Sequence, residues 1–81
     1  MSYRNGFLTE EELELCRIVR EASLPGAYTL PEFLADVWEY IRDKTNYGKR
    51  FRRSVEAGQL SGVVRSGRTI TNHQVYTVRA A

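Results

Sequence analysis

The hydrophobic period of this 81-residue chain changes once, at Gly58. Ahead of it, apolar residues recur at helical spacing in three segments. Beyond it, "GVVRS" (62–66) and "HQVYTVR" (73–79) are rich in β-branched and aromatic residues, with turn chemistry between them. That order predicts an α+β domain of three helices followed by a β-hairpin. With 81 residues there is room for one thin core, so residues 9–81 are expected as a single domain behind a tail at 1–8.

The first helix is announced by "LTEEEL". Thr9 serves as N-cap, Glu12 at N3 closes a capping box, and Leu8 and Leu13 take the staple positions. At about 100° per residue, Leu15, Ile18, Val19 and Ala22 form one stripe, with Cys16 at its edge, opposite Glu10, Glu14 and Glu21. "SLPGA" (23–27) ends this helix. The same signal recurs in "YTLPEF", with Thr29 as cap, Glu32 at N3, Tyr28 and Phe33 as staple and Pro31 in the first turn. Leu30, Phe33, Leu34, Val37, Trp38, Tyr40 and Ile41 then cover roughly 160°, which predicts a long central helix with Trp38 and Tyr40 in the core. Arg42 and Lys44 close it.

After a turn at 43–46, "NYGKRFRRSV" (46–55) opens a third helix that runs to Ala57, with Gly58 as C′. Tyr47, Phe51 and Val55 line one face, while Lys49, Arg50, Arg52 and Arg53 spread over roughly the opposite 160°. "SGRTITN" (66–72) should form a loop or irregular hairpin tip, where Arg65 and Arg68 flank Ser66-Gly67. Three helices and a hairpin predict a winged-helix-like arrangement, with helices two and three as a helix-turn-helix pair.

Composition excludes more than it selects. One cysteine rules out an internal disulfide, and one Cys with one His falls short of a four-ligand metal cage. No stretch approaches eighteen apolar residues and "MSYRNGFLTEEE" lacks a signal-peptide h-region, so a cytoplasmic protein without a membrane partner is expected. No nucleophile with an adjacent base and no Gly-rich phosphate loop is present, so neither an enzyme nor a cofactor is expected. The net charge of +2 hides an asymmetry. Residues 1–41 carry three arginines against eight carboxylates (−5), and residues 42–81 nine Lys and Arg against two carboxylates (+7).

That asymmetry meets a broken rule in helix three. Lys49 and Arg50 sit in or beside its first turn, where the positive end of the helix dipole repels cations, and Glu56 is its only carboxylate. A phosphate would resolve the conflict, accepting backbone N–H groups and pairing with the cations. On this reading the protein binds nucleic acid, most simply DNA, through Lys49, Arg50, Arg52 and Arg53, joined by Arg65, Arg68, Asn72 and Gln74 of the hairpin. Asn72 and Gln74 have the chemistry to read adenine edges, but equally to brace the loop. The alternative is a protein-interaction module docking on a larger host complex, with the basic face solvated or paired to the glutamates of helix one. The −5/+7 division also permits a homodimer.

The stretch from Tyr28 to Val78 carries Tyr28, Thr29, Leu30, Trp38, Gly48, Phe51, Val55, Gly58, Gly62, Val63, Asn72 and Tyr76 at set spacings. In this it resembles a family of very small prokaryotic and phage proteins catalogued only as a domain of unknown function. The resemblance implies a compact domain of this element order and brings no activity, substrate or site. With the nucleic-acid reading, it suggests a regulator of phage or mobile-element origin. The acidic first helix lies outside the pattern.

Overall fold

Helix α1 spans Glu10–Ala22 in the computed structural model, which describes residues 6–69 and 71–80. Its capping box forms reciprocally: Thr9 Oγ1 accepts the Glu12 N–H at 3.2 Å, and Glu12 Oε1 accepts the Thr9 N–H at 2.8 Å. The staple residues Leu8 and Leu13 are both buried. The buried stripe is rotated from the expected one, however. Leu13 and Cys16 form its centre, and Ile18 is 56% exposed, because α1 packs on α3 through the side that carries Glu12 and Cys16. Of the expected tail, Leu8 donates its N–H to Ser54 Oγ at 2.9 Å and Gly6 packs beneath the Arg53 guanidinium.

Strand β1 (Gly26–Thr29) occupies the segment expected only to end one helix and cap the next. The second capping box forms at Thr29 and Glu32, but α2 lasts only four residues, Leu30–Phe33. The chain then passes through a turn into a 3-10 turn at Trp38–Tyr40, with Val37 N–H bonded to Leu34 O, Tyr40 N–H to Val37 O and Ile41 N–H to Trp38 O. The long second helix is therefore corrected to two short pieces. Val37, Trp38, Tyr40 and Ile41 are β-branched or aromatic residues that lose side-chain freedom in a helix. The break buries Phe33, Leu34 and Ile41 while leaving Trp38 38% and Tyr40 71% exposed, so these two rings are not core residues. Thirteen residues separate α2 from α3, not the three or four of a tight helix-turn-helix.

Helix α3 (Tyr47–Glu56) ends as its sequence demands. Gly58, at φ +78°, donates to Val55 O, and Gln59 N–H donates to Ser54 O at 2.9 Å, the paired bonds of a Schellman motif that needs a left-handed residue at C′. Strands β2 (Val63–Arg68) and β3 (Gln74–Val78) form the hairpin, and β3 also pairs with β1, giving an antiparallel sheet in the order β1–β3–β2. A bulge places Ser66 as the extra residue between the Arg65–Tyr76 and Gly67–Val75 pairs. The expected tip is thereby corrected at its start: β2 continues to Arg68 and β3 begins at Gln74, so Arg65 and Arg68 lie inside β2.

The core is organised around Phe51. Its ring lies 4.8 Å from Tyr76, 5.9 Å from Phe33 and 6.5 Å from Tyr47, joining the sheet, α2 and the first turn of α3. On the far side Tyr47 Oη meets Cys16 Sγ at 3.5 Å. Burial pushes the Cys16 thiol up to about 11, only partly offset by the Tyr47 hydroxyl, and raises Tyr47 above its ordinary value as well. Both groups are neutral in the folded state and ionise first in the unfolded chain. Stability is therefore complete below pH 9 and lost as pH rises through about 11, with Cys16 contributing about 2–3 kcal/mol of that loss. Urea unfolding at pH 8 and pH 11 checks this. Equal midpoints would show that the thiol is not shielded.

Candidate nucleic-acid interface

Ten residues of α3 divide into two arcs. Tyr47, Arg50, Phe51, Ser54 and Val55 are buried, and Gly48, Lys49, Arg53 and Glu56 are exposed, with Arg52 intermediate. Arg50 thus leaves the solvent face on which the sequence places it. It is only 3% exposed and its Nη1 donates to Glu12 Oε1 at 2.5 Å. Its Nε and Nη2 donate to the carbonyls of Thr45 and Asp43, each at 3.2 Å, and the guanidinium lies 5.3 Å from the Tyr47 ring centroid. The physical reason is rotational. Arg50 lies about 60° from Tyr47 around the helix, at the margin of the apolar arc, and α1 covers that margin.

The remaining cations stand apart. Among the described residues, Lys49, Arg52 and Arg53 make no ion pair. Lys49 stands in a first turn that is itself undercapped: Asn46 is left-handed at φ 52°, its side chain makes no capping bond, and the first turn holds no acidic residue. Asp43, the nearest carboxylate in sequence, is turned onto Thr45. The Thr45 backbone N–H, accepted by Oδ1 at 2.9 Å, holds Asp43 below the usual carboxylate range.

A cleft of about 380 Å³ runs between this end of α3 and the start of β3. Gly48, Lys49 and Arg52 form one wall, Asn72, His73, Gln74 and Tyr76 the other, with Leu30 and Pro31 at one end. Four of the eight sequence-identified residues, Lys49, Arg52, Asn72 and Gln74, are brought together here. Arg53 lies across the ridge, in a smaller cleft of about 190 Å³ that also touches Lys49 and Asn46. Arg65 and Arg68 serve the cleft indirectly: Arg65 Nη1 donates to Gln74 Oε1 at 2.9 Å, and Arg68 Nη1 to Asn72 Oδ1 at 2.7 Å. Arg65 also pairs with Glu56 at 3.3 Å, in an exposed geometry where such a pair contributes little.

Two cleft residues escape a reading of charge and amide pattern. Tyr76 is 1% exposed and its hydroxyl has no partner among the described residues, a condition shared by Arg52 Nε. Gly48 has ordinary helical backbone, yet a methyl group at its α-carbon would meet nothing nearer than Leu30 Cδ2 at 3.9 Å. A helical glycine with space beside it was the available signal, since glycine costs up to about 1 kcal/mol against alanine there. No helix among the described residues is long and apolar enough to cross a membrane. Comparison of the chain with protein-family models, curated proteins and solved structures finds no match.

Proposed function

We propose that this chain binds nucleic acid, most simply DNA, through the Lys49–Arg52–Arg53 ridge of α3 and the adjoining cleft, in a winged-helix-like arrangement. The observation that carries this reading is the sorting of the α3 cations. The one that the fold uses, Arg50, is buried against a glutamate, while the other three make no ion pair among the described residues, and Lys49 stands in the uncapped first turn. The order α1–β1–α2–α3–β2–β3, with the hairpin against α3, supports the arrangement. Membership of the family that the Tyr28–Val78 pattern resembles, and a regulatory role in phage or mobile elements, belong to the same proposal.

Three phosphate contacts give a slope of log K against log salt of about −2.7, so affinity falls about fortyfold between 50 and 200 mM salt. Fluorescence anisotropy with duplex and single-stranded oligonucleotides at these two concentrations measures it. Arg53→Ala should lower the slope by about one unit. Absence of binding by micromolar protein at the lower salt overturns the reading.

A second reading, docking on another protein, is favoured by a separate observation. Leu30, Pro31, Ala35 and Trp38 line an apolar cleft of about 390 Å³, and Leu24 and Tyr40 are more than two-thirds exposed nearby in sequence. Sedimentation at two ionic strengths separates apolar self-association, which persists in salt, from charge-held pairing, which does not.

A further inference from the structure

We infer that the cleft between α3 and β3 seats one backbone phosphodiester; this rests on the nucleic-acid reading above. An arginine side chain can only donate, so the amide atom facing it must be oxygen. With Gln74 Oε1 accepting from Arg65 and Asn72 Oδ1 from Arg68, the NH2 of each carboxamide is turned away from the arginine and can donate. Lys49 adds an ammonium. Arg52 Nε and the Tyr76 hydroxyl have no partner among the described residues and lie buried behind the cleft surface, where burial raises Tyr76 so that it keeps its proton. The cleft therefore offers donors from two walls.

Adenine recognition by Asn or Gln needs both amide atoms, oxygen for N6–H and NH2 for N7. Each oxygen already accepts from an arginine, which fixes the direction of its amide and holds the NH2 group in place. A phosphodiester, with acceptor oxygens and one negative charge, matches what remains, and a tetrahedral group meets donors on opposite walls where a planar carboxylate presents one edge. Gly48 points the same way. Nothing in the chain requires its missing methyl group, whereas a ligand approaching the helix backbone would. Arg65 and Arg68 are positioning residues that hold the two amides.

The test compares wild type with Gly48→Ala, Lys49→Ala and Arg68→Ala by anisotropy on one labelled duplex, alongside thermal melts. It also titrates inorganic phosphate against chloride at constant ionic strength, watched by amide NMR. Gly48→Ala should raise Tm yet weaken duplex binding about tenfold, the scale of one charge-assisted hydrogen bond. Lys49→Ala should reduce the salt slope by about one unit, while Arg68→Ala lowers affinity with the slope unchanged. Inorganic phosphate should shift the Gly48 amide and the Asn72 and Gln74 NH2 signals. Duplex binding untouched by Gly48→Ala overturns the seat and leaves the nucleic-acid reading standing. Phosphate shifts without any duplex binding overturn the nucleic-acid reading and keep the phosphate seat. Polyglutamate competing as well as oligonucleotide overturns the phosphate assignment in favour of an acidic protein partner.

Discussion

Replacing Arg50 with alanine should destabilise the fold by about 3–5 kcal/mol, the range for removing one partner of a buried ion pair. The loss has three parts. Glu12, 14% exposed, keeps a negative charge with its guanidinium gone, and the Thr45 and Asp43 carbonyls lose their donors. The face of Tyr47 also loses the cation packed on it. For a domain this small, whose whole stability lies toward the low end of 5–15 kcal/mol, such a change brings the chain close to unfolding at ordinary temperature. Arg50→Lys should recover only part, since an ammonium lacks the fork that reaches Glu12 and two carbonyls together. Urea denaturation of the two variants measures this. An Arg50→Ala cost below about 1 kcal/mol, the scale of an exposed pair, would mean that the guanidinium is solvated and free for a ligand after all. Any loss of nucleic-acid binding in this variant therefore has to be read beside its melting curve.

Phe51→Ala should cost a similar amount, about 3–5 kcal/mol, through lost burial and the cavity left behind. Phe51 is fully buried and touches the rings of Phe33, Tyr47 and Tyr76, which belong to α2, α3 and β3. No other side chain joins those three elements through ring contacts among the described residues. Its removal also frees Tyr76, a wall of the cleft, so affinity for any cleft ligand should fall in whatever fraction stays folded. Denaturation midpoints with unchanged m-values would show loss of packing alone, whereas a reduced m-value would show a loosened native state. A cost under about 1.5 kcal/mol, typical of a tolerated core swap, would place the centre of the core elsewhere.

What the sequence made legible was local. Both capping boxes and the Gly58 terminus are signals spanning six residues or fewer, and all three form as read. What it hid needed distant partners. Gly26–Thr29 is half glycine and alanine, and it becomes a strand only because residues 75–78 pair with it. The α2 break is a tertiary override, in which burying Phe33, Leu34 and Ile41 together prevails over a continuous apolar arc. Around α3, Lys49 and Arg53 were legible as outward cations because they lie well inside the polar arc, whereas Arg52, 100° from Phe51, is half-buried at one margin. Arg50 lies at the other margin, and there the position of α1 decides. The Arg65–Gln74 and Arg68–Asn72 contacts depend on a one-residue bulge at Ser66 that no residue pattern announced.

The position of β3 between β1 and β2 bears on how the molecule is made. The strand that knits the sheet is the last of the three in sequence, so β1 and β2 find no partner in this sheet until it docks between them. Until β3 is in place, β1 and β2 each present an unpaired edge of the kind that templates pairing with another extended chain.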